Sequence, residues 1–183
     1  MTDASQTTHF SMDDAAPLAS DVDLAIATEK LNGRSRRICA SISVPCSIEQ
    51  VWQVLTDYDN LADFIPNLTT SRRLGESDSG TLLEQIGAQC FLNIQFCARV
   101  VLNMVEQFPD HLGFTMVEGD FKAFEGAWKL EAGEAEGMTR LVYELIVCPP
   151  RAIPVLLIER HLRRDLAQNL QAIRQQVIAV AAA

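Results

Sequence analysis

Side chains that could do chemistry are present, but their spacing matches no established catalytic or metal-binding motif. There is no Ser-His-Asp order, no paired-carboxylate spacing and no phosphate-binding loop. The histidines are scattered at His9, His111 and His161, and the five cysteines include no CxxC pair, so neither a zinc site nor a disulfide framework is predicted. The sequence therefore gives catalysis no support and predicts no metal or cofactor.

One tyrosine and a few charged or amide side chains remain as candidates for a reaction. Tyr143 lies in an alternating apolar stretch, where a buried hydroxyl needs a partner or a ligand. With an inward Glu or Arg it could act in general acid–base catalysis, and the alternative is a core tyrosine bonded to the backbone. The other candidates are Glu84, Gln85, Arg99 and Glu125. Alternation does not decide whether Glu84 or Gln85 faces inward, and it predicts a solvated Arg99.

Composition and charge restrict the class of protein. A chain of 183 residues, with 48% hydrophobic and 21% charged residues, is the size of one globular domain. The net charge of -9 disfavours binding to a phosphate backbone, so no nucleic acid partner is predicted. The longest apolar runs are far shorter than the roughly 20 residues that a membrane-spanning helix needs. With no cationic leader, we expect a cytoplasmic protein.

The first 34 residues differ in charge from the rest of the chain. Six acidic residues precede Arg34 and only Lys30 opposes them, with Ser and Thr between them. This composition predicts a flexible acidic arm over 1–34 and a folded domain over 35–183. Within the arm, "DVDLAIATEKL" has the alternative of forming a short helix or a strand laid against the domain.

A strand and two short helices are predicted at the start of the domain. Residues 36–44 alternate as a strand, and Ser47 with Gln50 has the spacing of a capping box. The helix that follows buries a stripe at three- and four-residue spacing. A second short helix ends before Pro66, because the residue before a proline disfavours helical geometry.

Six further strands and one long helix complete the pattern. Short Gly- and Asp-containing turns separate the strands, so their neighbours must be antiparallel and form a meander. The predicted strands are 69–74, 81–89, 94–106, 111–118, 121–131 and 139–147. From Val155 the apolar period changes to that of a helix of about 25 residues, long enough to cross the sheet.

This order of elements resembles the helix-grip fold of the START-like and polyketide cyclase/dehydrase superfamily. The segment "SISVPCSIEQVWQVLTDYDNLADFIPNL" is similar to that family's first strand and helix pair. Two stretches, "YDNLADFIP" and "GDFKAFEGAWKLE", are most similar to its coenzyme Q-binding protein branch. The resemblance implies an α+β fold in which a curved antiparallel sheet of about seven strands wraps around the C-terminal helix, with two short helices after the first strand.

The resemblance also implies an apolar cavity between the sheet and the long helix, holding a lipid, quinone or polyketide-like molecule. Strand alternation places large apolar faces there, although ordinary core packing would use the same faces. Phe64 and Ile65 are placed like a lid or mouth. The predicted ligand-binding residues are Phe64, Ile65, Phe96, Ala98, Phe114, Met116, Phe124, Trp128, Tyr143, Leu145, Ile158, Leu162 and Leu166.

Three functions follow from the resemblance. The first is a non-catalytic carrier of a hydrophobic small molecule, and the second is a cyclase- or dehydratase-type enzyme that uses Tyr143. The third is a protein-interaction module, because the coenzyme Q-binding branch includes a ribosome-associated toxin. The -9 charge speaks against contact with ribosomal RNA.

A cluster of arginines on the long helix suggests a surface contact. Arg160, Arg163 and Arg164 could meet anionic lipid headgroups or an acidic protein, and we predict a peripheral membrane or protein contact there. Two alternatives are the solvated side of an amphipathic helix and an interaction with the acidic arm of the same molecule.

Overall fold

The computed structural model describes residues 23–91 and 94–183. Within these ranges it describes every side chain except those of 89–91, 94–96, 157 and 158. Most of the predicted acidic arm, residues 1–22, lies outside the described residues.

Eight strands and three α-helices make up the described chain. The strands are β1 (Ala25–Lys30), β2 (Arg36–Val44), β3 (Leu68–Ser77), β4 (Gly80–Phe91), β5 (Ile94–Gln107), β6 (His111–Gly119), β7 (Ala123–Ala132) and β8 (Thr139–Cys148). The helices are α1 (Ile48–Thr56), α2 (Leu61–Phe64) and α3 (Val155–Ala181), and a 3-10 turn (Tyr58–Asn60) precedes α2.

All eight strands form one antiparallel sheet in the order β1-β2-β8-β7-β6-β5-β4-β3. Strands β3 to β8 follow one another as a meander, as the short turns predicted. The last strand of the meander, β8, pairs with the earlier strand β2, from Arg36 opposite Val147 to Val44 opposite Thr139. The predicted α+β helix-grip architecture is confirmed.

The eighth strand comes from the predicted arm, where residues 25–30 of "DVDLAIATEKL" form the strand that was one of its two alternatives. Strand β1 pairs with β2 from Ala25 opposite Ser41 to Lys30 opposite Arg36. Ile26 is partly buried and packs against the core, and Glu29 lies 2.9 Å from Arg37. Residues 25–30 are therefore an edge strand of the sheet, which has eight strands instead of about seven.

Helix α1 begins as the sequence predicted. The Gln50 amide N–H donates to Ser47 Oγ, and the Ser47 amide N–H donates to Gln50 Oε1 at 3.0 Å, so both halves of the capping box form. Val51, Trp52 and Leu55 are buried on the face that meets the core. This stripe packs α1 against the hydrophobic core.

The two ends of α3 are buried to different extents. In its second half, Leu170 and Ile173 are completely buried and Val177 is 1% exposed. Arg174 Nε also donates to the Ser43 carbonyl at 3.0 Å, tying this half to β2. Near the first turn, by contrast, Leu156 is 76% exposed. The second half of α3 is thus packed as core, while its first half borders an open space.

Candidate functional site

A cavity of about 600 Å³ lies beneath the first half of α3. Strands β4 to β8 supply most of one side, and the segment from Leu55 to Leu68 and residues 152–154 complete the enclosure with α3. Most of the lining side chains are aliphatic or aromatic. Nine residues predicted for ligand binding are in this wall: Ile65, Ala98, Phe114, Phe124, Trp128, Tyr143, Leu145, Leu162 and Leu166.

Four predicted residues are not placed in the wall. Phe64 and Met116 are the two described ones that do not reach it, and both pack, partly buried, against the core. The side chains of Phe96 and Ile158 lie outside the described residues. Of the two residues predicted as a lid or mouth, Ile65 lines the cavity, together with Pro66, Asn67 and Leu68, and Phe64 does not.

Aromatic rings form one continuous side of the cavity. The Phe114 and Tyr143 rings are stacked, with centroids 5.7 Å apart. Trp128 lies 4.3 Å from Tyr143, and Phe124 lies 5.9 Å from Phe114. Aromatic pairs at about these separations stabilise one another, so the four rings form one continuous apolar surface on this side of the cavity.

Glycine at position 126 makes room for the Phe114 ring and for the close approach of β7 to β8. A Cβ atom there would lie 2.8 Å from Phe114 Cζ and 1.9 Å from the Glu144 carbonyl oxygen. Both distances are far shorter than ordinary van der Waals contacts, so any other residue would push β7 away from β8. The close packing of the aromatic side therefore requires glycine at position 126, although glycine has no side chain.

Tyr143 brings a polar group into this apolar surface. The residue is only 9% exposed, and burial raises the pKa of its phenol. No hydrogen bond joins its hydroxyl to another described residue. The phenol is therefore neutral at ordinary pH, and no described residue uses its donor or acceptor capacity.

The charged candidates for a reaction are on the outer face of the sheet. Glu84 accepts hydrogen bonds from Arg99 Nε at 2.7 Å and Arg72 Nε at 2.6 Å, which together hold the pKa of its carboxyl below the ordinary value. Arg99 also binds Glu118 at 2.6 Å. Of the two neighbours that alternation left open, Gln85 faces the cavity. Glu125 is exposed, so no predicted Glu or Arg joins Tyr143.

Sequence reasoning missed a group of polar residues along one edge of the cavity. His161, Asp165 and Asn169 follow one another at four-residue spacing on α3, which places them on one face of the helix. In the orientation that satisfies its amide, Asn169 donates to the carbonyl oxygens of Asp165 at 3.1 Å and Pro66 at 3.2 Å. The helical pattern could have shown this polar stripe directly beside the apolar one.

Asp165 is the most buried charged group of this edge. It is 9% exposed, and burial raises the pKa of its carboxyl, while the nearby charges of His161 and Arg164 act in the opposite direction. A second, more polar groove of about 540 Å³ shares Pro66, Asn67, His161 and Asp165 with the cavity. These four residues therefore form the seam between the cavity and the outer groove.

Two arginines near the end of the predicted arm hold the loop that leads into α3. Arg34 donates to the carbonyl oxygens of Pro150, at 3.0 Å, and Ile153. Arg36 Nε lies 3.1 Å from Glu159 on the first turns of α3. Since Ile153 lines the cavity, this segment helps to position the cavity wall.

The described residues contain neither a metal-binding cluster nor a membrane-spanning helix. Within residues 23–91 and 94–183, no three His, Cys, Asp or Glu side chains are grouped so as to hold a metal ion. No helix in the same part of the chain is both long and apolar enough to cross a membrane.

Solved structures share this architecture. The Zhui aromatase/cyclase from Streptomyces sp. R1128 is 14% identical, with a TM-score of 0.68 over 78% of this chain and 93% of that one. A STAR-related lipid transfer protein from Xanthomonas axonopodis is 14% identical, with a TM-score of 0.67 over 84% and 98%. Human STARD10 is 7% identical, with a TM-score of 0.63 over 84% and 73%. At these identities the likeness shows the fold alone.

Sequence comparison gives the family. No curated protein sequence matches this chain significantly. The profile of one family, described as polyketide cyclase / dehydrase and lipid transport, matches residues 44–174. That stretch runs from the end of β2 well into α3 and covers more than half of the chain. Closeness to the coenzyme Q-binding branch is not tested by this match and stays a prediction. The chain belongs to the polyketide cyclase / dehydrase and lipid transport family.

Proposed function

We propose that this protein binds and carries a predominantly apolar small molecule in the cavity under α3. The observation that carries the proposal is an apolar space of about 600 Å³ beside a closely packed core. Protein interiors rarely contain voids larger than a water molecule, and each void costs stability. A guest that fills the space offsets this cost, and sites for small ligands are about 300–1,000 Å³ in volume.

Family membership supports the same class of ligand. The family description includes lipid transport, and a similar structure is a STAR-related lipid transfer protein. A lipid, a quinone and a polyketide-like molecule all present the apolar surface that the aromatic side of the cavity would cover. The nine predicted residues in the wall are our proposed ligand contacts.

A reaction on the bound molecule is the second candidate function. It is favoured by Tyr143, His161 and Asp165, which all lie in the cavity wall and could exchange protons with a guest. A similar structure is an aromatase/cyclase. The apolar character of the rest of the wall favours carriage as the main role.

One experiment separates carriage from reaction. The purified protein is extracted with organic solvent and the extract is analysed by mass spectrometry. The same is done with a variant in which a larger side chain fills the cavity. We expect a hydrophobic molecule in the wild-type extract only. Incubating that molecule with fresh protein should leave its mass and retention time unchanged. An empty wild-type extract contradicts binding, and a Tyr143-dependent change of the molecule favours the enzyme.

We also propose that the start of α3 contacts a membrane or an acidic partner. Arg160, Arg163 and Arg164 have helix positions near the exposed Leu156, and residues 152–154 of the adjoining loop line the cavity. Anionic surfaces attract such clusters by about 1 kcal/mol for each arginine. Replacing all three by Gln should abolish co-sedimentation with phosphatidylserine vesicles. Equal co-sedimentation of the variant would exclude these residues from the contact.

A further inference from the structure

The polar edge of the cavity contains a buried carboxyl group, that of Asp165, with one oxygen that has no hydrogen-bond partner among the described residues. Asp165 Oδ2 is sealed from solvent and has no hydrogen-bond partner among the described residues. Leaving a buried charged acceptor unpaired is costly, so native proteins rarely keep one without a reason. The same residue lies in the wall of the cavity and of the outer groove. A guest with one end at this seam would lie beside the carboxylate.

We propose that the ligand has a head group that donates a hydrogen bond and bears no negative charge, such as an alcohol, a phenol or an amine, and that Asp165 accepts this hydrogen bond. The inference rests on the proposed function, because it needs a guest in the cavity. The apolar part of the guest lies against the aromatic side, and its head group lies at the seam.

The neighbours of Asp165 support a donor in preference to an acceptor. The Asn169 amide is engaged by the carbonyl oxygens of Asp165 and Pro66, so its N–H groups are already used there. Burial raises the pKa of the Asp165 carboxyl more than the opposing interactions with His161 and Arg164 lower it. A carboxylate on the guest would meet a second carboxylate in a site of low dielectric, where like charges repel strongly. Fatty acids should therefore bind more weakly than the matching alcohols.

Competition among three molecules that share an unbranched twelve-carbon chain tests this inference. A neutral fluorescent probe, N-phenyl-1-naphthylamine, is bound first, and dodecanol, dodecanoate or methyl dodecanoate displaces it at pH 8. Because a hydrogen bond to a charged group is stronger than a neutral one, dodecanol should bind about tenfold to a hundredfold more tightly than dodecanoate. Methyl dodecanoate has no donor and no charge, so its affinity should lie between the two.

Asp165→Asn removes the charge while keeping the shape of the side chain. This variant should bind dodecanoate more tightly than the wild-type protein does. Its affinities for dodecanol and dodecanoate should come within about threefold of each other. Asp63→Asn is the matched control, because Asp63 is exposed on α2 and outside the cavity wall, and it should keep the wild-type ratio. Circular dichroism shows whether the variants fold. If the Asp165→Asn protein does not fold, the ratio of the dodecanol and dodecanoate affinities in the wild-type protein decides the question.

The outcomes distinguish this inference from the proposed function. If methyl dodecanoate displaces the probe but dodecanoate binds wild-type protein as tightly as dodecanol, the inference is wrong and the carrier role stands. An unchanged ratio in folded Asp165→Asn protein has the same meaning. If none of the three molecules displaces the probe, the proposed function fails and the inference fails with it.

Discussion

Leu170→Ala should lower the free energy of unfolding by about 3 kcal/mol, whereas Leu162→Ala should lower it by less than about 1 kcal/mol. Both residues are leucines on α3. Leu170 is fully buried and lies outside the cavity wall, so its truncation leaves a new void in a packed core. Leu162 already borders the cavity and is only partly buried, so its truncation enlarges an existing space.

Urea denaturation of the ligand-free protein measures this contrast. In a protein of this size, a loss of about 3 kcal/mol corresponds to a fall in melting temperature of roughly 6–12 °C. The slope of the unfolding free energy against urea should be equal in both variants, since the native fold is unchanged. Equal losses at the two positions would mean that α3 is packed uniformly along its length, which contradicts an open space under its first half.

Ala98→Trp should reduce the affinity for dodecanol at least about tenfold while the protein stays folded. Ala98 is paired with Gly87 across β4 and β5, and both small residues line the cavity. An indole at position 98 would project into the space that a guest needs, and its ring buries on the order of 150–250 Å² of surface. Because the ring enters a void, it should not displace core side chains.

Cys97→Trp is the matched control for this substitution. Cys97 is the preceding residue on β5 and is exposed, since successive side chains of a strand point to opposite faces. The same indole placed there should leave affinity unchanged within about twofold. Displacement of the neutral fluorescent probe measures both variants. If Ala98→Trp protein were folded and bound dodecanol normally, the guest would have to lie elsewhere.

Local sequence patterns predicted much of this fold because their causes are local. The capping box of Ser47 and Gln50 needs only three residues of separation, and it forms as predicted. The short turns between β3 and β8 leave no other connection than an antiparallel one. Alternation also placed Ala98, Phe114, Trp128 and Tyr143 correctly on the inner face, because a strand has a fixed period of two.

The remaining features depend on contacts that local patterns do not encode. Phe64 and Ile65 are neighbours, and which of them reaches the cavity is decided by how α2 ends before Pro66. The pairing of β1 with β2 joins residues whose acidic surroundings resembled an unfolded arm. The burial of Asp165 is not apparent from the sequence, because charged residues in an amphipathic helix are usually solvated.

Tryptophan fluorescence gives the most direct test of a guest under α3. The chain has two tryptophans: Trp128 lies in the cavity wall, while Trp52 lies outside it with its ring 5.5 Å from that of Phe108. Trp52→Phe and Trp128→Phe give proteins with one tryptophan each. Brominated dodecanol quenches an indole at short range. We predict saturable quenching in the Trp52→Phe protein and little in the Trp128→Phe protein. Equal quenching in the two proteins, or no quenching in the Trp52→Phe protein that retains Trp128, would contradict a hydrophobic guest in this cavity.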